Sequence, residues 1–391
     1  MTPSRARRAD AAYFAAAAGA LLILALLGAL QRQLEMIGNN DFSRIWAGPR
    51  AVLVGADPYD PVTFAATARA IGTLAPDTPV YLYPPWVTLV LLPLAAIPLN
   101  VASIVWLIAS ISAGLAGLRL LLRAYLPGRP LGHAVAAAML LLSWVGALSL
   151  IIGQWGLLLV GAVSAVTAWL DAHPRRAGAL AVTLIAKPQL FILTAPAIVA
   201  HALWPTAGRI PRGGVRFVTT ALAVTAALVA VAWIVIPSWW PTWLVRISAV
   251  QLGPDSDTVP GLLYALAGPS GPLFAPLIVL PLVGIGLAFR PASPAWLPVW
   301  LTLSFIAAPY ANSYDQILLI VPIVIASGVG ARRSRRVGQL VLGCGAVILV
   351  GITPIMYEVA IGRHSETLGV LVPLAVFALI VAALWPQRRS V

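Results

Sequence analysis

Charge is scarce in this 391-residue chain: 9% of its residues are Asp, Glu, Lys or Arg, against roughly 25% in soluble domains. With 60% hydrophobic residues and a mean hydropathy of +0.93, the composition excludes a soluble domain and points to an integral membrane protein. Cysteine is almost missing. Cys344 alone cannot form an internal disulfide, and its place in the apolar run 341–350 reads as a small buried hydrophobe. The four histidines, His133, His173, His201 and His364, are scattered without the spacing of metal ligands, so no metal site is expected. There is no phosphate-binding glycine loop, no His-Glu-x-x-His and no serine in a glycine elbow, which removes the common frames of soluble enzymes. Lysine occurs once, and the arginines cluster in short patches between apolar stretches. The net charge of +13 is therefore a topology signal, and with no aromatic RNA-binding signature nucleic acid is not an expected partner.

What remains is a series of apolar runs. Ala11 to Leu30 follows Arg5, Arg7 and Arg8 and is long enough to span about 30 Å of hydrocarbon as an uncleaved first helix with a cytoplasmic N-terminus. The segment 32–83 then lies outside as a first extracytoplasmic loop. Within it Asp41 or Asn40 can cap a short helix through Ala51. Asp57-Pro58-Tyr59-Asp60 is turn chemistry, and Asp60 followed by Pro61 starts a second short helix. The aromatic residues place both helices at the membrane interface. Further spans follow, with a second large outer loop over 237–272 and the basic cluster Arg332, Arg333, Arg335 and Arg336 before the last two. Cytoplasmic termini require an even number of crossings, and about ten to twelve fit. The chain is thus expected to be an all-α polytopic membrane protein, one transmembrane domain over 1–391. One local choice stays open. Pro85–Pro98 is either a full span, which puts Arg119, Arg123 and Arg175 outside, or re-entrant, which requires Ala177–Trp204 to fold back near Lys187.

Of the 12 acidic residues, all but Asp10 and Asp171 fall in expected outer segments, which suggests a polar outer face. Asp41 is the leading candidate there, a helix cap or a carboxylate at the membrane boundary able to take a proton from a hydroxyl. Lys187 sits within a long apolar stretch, where an ammonium costs several kcal/mol unless it faces a polar cavity or an anion. A phosphate would satisfy it, as would pairing within the bundle. Arg44 and Arg246 are further outer cations. Gln154 lies in a Gly-Gln-Trp-Gly break, and Tyr310, Asn312, Tyr314 and Asp315 crowd one loop end, Asp315 also being a possible cap of the next helix.

In order along the chain, Asn40-Asp41-Phe42, Gly55-x-Asp57-Pro58-Tyr59-Asp60, Tyr83-Pro84-Pro85, Gly153-Gln154, Lys187-Pro188 and Pro309-Tyr310 through Tyr314-Asp315 together resemble glycosyltransferase family 87. The resemblance runs over about residues 10 to 330. Its members include polyprenyl-phosphomannose-dependent α-1,2-mannosyltransferases of the GT-C fold. The resemblance implies a GT-C-like bundle in the cell membrane and an active site on the extracytoplasmic face. It also implies a polyprenyl-phosphate-linked sugar as donor and a first-loop aspartate, here Asp41, as catalytic base. Asn40, Tyr59, Tyr83, Gln154, Tyr310, Tyr314 and Asp315 would contact substrates, and Lys187, Arg246 and Arg44 the donor phosphate. The acceptor would be a lipid or glycan hydroxyl, membrane lipids the surroundings, and no cofactor is expected. Where family members often carry Gly-Gln-x-Asn, this chain has Gly153-Gln154-Trp155-Gly156, and where a His is common near the outer end of the late span it has Tyr314-Asp315. A transporter or flippase of a lipid-linked substrate is the alternative, favoured by the break at Lys187-Pro188. A non-catalytic assembly subunit, with Asp41 only a cap, is a third.

Overall fold

The apolar runs fold as helices because hydrocarbon offers no partner for backbone polar groups, so each segment satisfies its own. The computed structural model describes residues 3–36, 40–70, 81–206, 208–237, 239–248 and 256–385. Asn39, Asp77, Gln251 and Asp255 lie outside them. Among the described residues there is no strand, and seven helices are long and apolar enough to cross a membrane, eight when the bent pair Pro130–Leu142 and Trp144–Ile151 is taken as one. Four shorter apolar helices, Pro85–Ala95, Gly156–Trp169, Thr194–Leu203 and Trp296–Ala307, lie between them in the chain.

Burial ranks these helices. Ser313–Arg333 is the axis, 83% buried over its apolar window, whereas Arg212–Val235 is 6% buried and forms the rim. Close approach between Leu99–Tyr125 and Gly156–Trp169 depends on glycine: a Cβ on Gly117 would lie 2.1 Å from the Gly161 carbonyl oxygen. Cys344 is exposed on the helix Arg335–Ala346, not buried as its apolar neighbours suggest. Apolar sequence marks a lipid-facing position as readily as a core one.

The open choice at Pro85–Pro98 resolves from side-chain pairing. Asp10, near the start of Pro3–Leu26, holds Arg119 at 3.1 Å and Arg123 at 2.6 Å, near the finish of Leu99–Tyr125. The two helices are antiparallel, so everything between them lies at the opposite end. There the helix Pro85–Ala95 enters and leaves, its last carbonyls taken by Trp46 Nε1 and Arg50 Nη1. It does not cross. The compensating fold-back occurs where that choice requires it. Pro174–Ala181 rises from the end holding Arg175 and Arg176, the chain breaks at Lys187-Pro188, and Thr194–Leu203 returns to place His201 against the Pro291 carbonyl. Pro188 has no N–H and interrupts the ladder. Ser304 Oγ repairs it, donating to Leu190 O at 2.8 Å and accepting from Leu193 N at 3.0 Å. Arg119, Arg123, Arg175 and Arg176 thus lie at one end of the bundle, and the loops rich in Asp, Tyr and Trp at the other.

The loop expected over 237–272 is shorter than its polarity implies. Thr258 caps a helix Val259–Ala267 through its hydroxyl; at Gly268, φ 66°, the chain turns, Gly271 packs against the Leu263 carbonyl, and the helix Ala275–Leu287 follows, the whole stretch being apolar enough to count as one candidate span.

Candidate functional site

Two good N-cap residues stand side by side at positions 40 and 41, and the structure assigns the cap to Asn40. Its Oδ1 accepts from Ser43 N at 3.1 Å, and its extended backbone, φ −109° and ψ 172°, leads into the helix Asp41–Leu53. Asp41 is left in the first turn with its carboxylate free of the cap. It lines a cavity of about 210 Å³. Asp41 Oδ2 accepts from Gln154 Nε2 at 2.7 Å, and Oδ1 stands 3.7 Å from Arg44 Nη1.

Gln154 reaches Asp41 because its turn is built for that contact. Gly153 has φ 71°, a left-handed conformation that glycine adopts without penalty. A Cβ there would lie 2.5 Å from Phe42 Cβ. Trp106 Nε1 donates to Gly153 O at 2.9 Å, and Phe42 N to Ile152 O at 3.2 Å. The helix carrying Asp41 and the turn carrying Gln154 are therefore joined backbone to backbone. The Gly-Gln break is both a turn and a contact to the carboxylate.

The cavity floor comes from the fold-back and the axial helix. Lys187, 6% exposed, donates to Asp315 Oδ1 at 2.7 Å, and Asp315 is fully buried. Asp315 Oδ2 accepts from Asn312 N at 3.3 Å, so this aspartate closes the capping box of the N-cap Asn312 and is also the counter-ion of Lys187. The Lys187 ammonium lies 4.8 Å from the Tyr314 ring centroid. Tyr314 Oη accepts from Gln154 Nε2 at 3.3 Å and from Asn312 Nδ2. A continuous polar chain thus links Asp41, Gln154, Tyr314, Lys187 and Asp315. Behind it Gln316 Nε2 donates to Asp257 Oδ2 at 2.6 Å. Burial, reinforced by the charges of Glu366 and Asp315, raises the Asp257 carboxyl well above the carboxylate range.

Tyr83 and Tyr310 close the walls. Burial raises both phenols, Tyr83 with help from the Asp41 charge, and Tyr310 is pushed up to about 12. Both therefore stay neutral hydroxyls near pH 7. Tyr83 also stacks at 6.0 Å on Trp155.

Of the residues expected to act on substrates, Asp41, Arg44, Tyr83, Gln154, Lys187, Tyr310 and Tyr314 line this one cavity. Asp315 lies just behind it. Asn40, Tyr59 and Arg246 do not line it. Asn40 serves as the cap. Tyr59 Oη donates to Tyr83 O at 2.9 Å, and Arg246 Nε donates to Tyr59 O at 2.9 Å. Both brace the wall from outside, although Ile247, next to Arg246, faces in. Sequence reasoning passed over Tyr81 and Gln189, which also line it. Gln189 sits two residues past the lysine in the same break, and Tyr81 precedes Tyr83 by two. Among the described residues no three His, Cys, Asp or Glu side chains converge as metal ligands.

A bundle of apolar spans enclosing a polar cavity at one end, with a carboxylate freed from structural duty, defines a polytopic membrane protein with a candidate transfer site. The chain belongs to glycosyltransferase family 87, whose sequence model matches residues 81–309, and it is a membrane glycosyltransferase. No curated protein and no solved structure matches it. The matched stretch is narrower than the resemblance read from the motifs. It contributes Tyr83, Gln154 and Lys187 to the cavity, while Asp41, Arg44, Tyr310 and Tyr314 come from outside it. Asp315 also neutralises Lys187 at the break that had favoured a transporter.

Proposed function

We propose that the protein transfers a sugar, mannose or a similar hexose, from a polyprenyl-phosphate donor to a hydroxyl of a lipid or glycan acceptor, with inversion and with Asp41 as general base. The observation that carries this reading is the Asp41 carboxylate, released from capping by Asn40 and opening into the cavity. The acceptor oxygen bonds to the anomeric carbon as its proton passes to Asp41, and the bond from that carbon to the phosphate oxygen breaks on the opposite face. Gln154 orients the carboxylate. A positioned base contributes about 10²–10⁴-fold, and alignment of the two substrates adds to it.

The leaving phosphate requires a cation. Arg44, whose side chain is 53% exposed, can turn to it, and Lys187 has N–H donors beyond the one given to Asp315. Arg246, outside the cavity, is the weakest of the three candidates. At about 210 Å³ the cavity is below the range of about 300–1,000 Å³ for drug-sized ligands. That size suits one sugar, with the polyprenyl tail outside in the membrane. The arginine-rich end at the opposite pole supports cytoplasmic termini and an extracytoplasmic site in the cell membrane.

The test is transfer from a radiolabelled polyprenyl-phosphate hexose by purified protein in nanodiscs, with Asp41→Asn beside wild type. Because Asn40 keeps the cap, the variant should remain folded while turnover falls by about 10²–10⁴-fold. Full turnover in the folded variant would remove Asp41 from the mechanism.

A further inference from the structure

A second cavity lies at the pole opposite the transfer site, with a volume of about 840 Å³. It opens between the start of Pro3–Leu26, the turn before Pro130–Leu142 and the start of Arg335–Ala346. Arg5, Arg8, Arg129 and Arg335 line it. The nearby acid cannot neutralise them, because Asp10 is committed to Arg119 and Arg123. Among the described residues none of the four forms an ion pair. Leu131, 71% exposed, and Leu342 continue the cavity as apolar wall. Four guanidinium groups above an apolar wall match one ligand chemistry, a phosphate headgroup on acyl chains: arginine binds phosphate oxygens in forked pairs, and basic pockets between spans bind anionic headgroups.

We infer that this basic pole holds a binding site for a lipid with an anionic phosphate headgroup, separate from the transfer site and independent of the donor proposed there. The site would hold such a lipid against the ends of Pro3–Leu26, Pro130–Leu142 and Arg335–Ala346 and fix their register in the membrane.

The experiment titrates the purified full chain with phosphatidylglycerol, with phosphatidylcholine and, in a separate arm, with inorganic phosphate, and reads bound lipid by native mass spectrometry. Arg129→Gln/Arg335→Gln is compared with Arg175→Gln/Arg176→Gln, which removes two charges at the same pole outside the cavity. At about a fivefold effect per arginine, the first double variant should bind phosphatidylglycerol about twenty-five-fold more weakly, and the second should change little. Retention of phosphatidylglycerol unaffected by millimolar phosphate supports a lipid source. Displacement by phosphate alone would reassign the site to a free anion and overturn the lipid assignment. Equal binding of the two lipids, or equal losses in the two variants, would reduce the cavity to general surface charge and overturn the inference.

Discussion

Removing the Lys187 ammonium tests whether it serves the cavity floor only as an ion-pair partner or also as a cation for the proposed donor phosphate. At 2.7 Å and an effective dielectric near 20, the attraction between Lys187 and Asp315 is about 6 kcal/mol. Desolvation of both groups offsets most of it, since each is almost fully buried. Lys187→Met leaves Asp315 charged and buried without its partner, which costs about 3–5 kcal/mol. Asp315→Asn strands the lysine at a similar cost. The double variant Lys187→Met/Asp315→Asn buries no unpaired charge, so it should recover most of the loss; with about 2 kcal/mol or less lost in the double variant, the coupling is at least about 4 kcal/mol. The measurement is an unfolding titration in mixed micelles, followed by tryptophan fluorescence, for all four proteins. Losses that add within about 0.5 kcal/mol would refute the pairing. Transfer assays on the same proteins separate two roles. A stable but inactive double variant makes Lys187 a phosphate cation, whereas recovered transfer makes it a floor residue only.

Gly117→Val should destabilise the bundle by about 1–3 kcal/mol or more, because its side chain meets the Gly161 carbonyl and forces two helices apart; a melting temperature equal to wild type would contradict that contact. Burial raises the Asp257 carboxyl, so between its unfolded and folded pKa the native state binds the extra proton, and stability falls as pH rises above about 4. Asp257→Asn should flatten that fall, read as melting temperature from pH 4 to 8. Lys187→Arg should also be destabilising, by about 1–3 kcal/mol: Asp315 Oδ2 already holds Asn312 N, which leaves one oxygen for a two-pronged guanidinium in a space fitted to an ammonium. Wild-type stability in that variant would mean the floor is looser than its distances imply.

Much of the fold was legible because apolar length and arginine placement are one-dimensional signals. The spans and the two linked choices at Pro85–Pro98 and Lys187 could be written from them, and cap chemistry added the helix opened by Asp60-Pro61. Choosing between those alternatives needed Asp10, whose partners lie more than a hundred residues away. The same limit applied at Val259–Ala267, where polar neighbours hid a helix that tertiary contact completes.

The site was legible as a set of residues more than as an arrangement. Asp41, Gln154, Lys187 and Tyr314 could each be singled out, yet nothing local says that Asn40 and not Asp41 caps the helix. That is settled by Phe42 docking on Gly153 and Ile152. Lys187 taught the converse. A lone lysine in an apolar stretch demands an anion, and phosphate and Asp315 satisfy that demand equally well on paper. Their difference is 128 residues of sequence separation closed by the fold. With Asp315 in place, Lys187 and Asp315 cancel, as do Arg44 and Asp41. The donor phosphate proposed above would therefore enter a nearly neutral cavity and would have to draw a cation from one of these pairs. Arg44 is the more exposed cation and holds its carboxylate at 3.7 Å, against 2.7 Å for the lysine. Its transfer to the phosphate would free Asp41 Oδ1 for the acceptor proton, so donor binding and activation of the base would be one event.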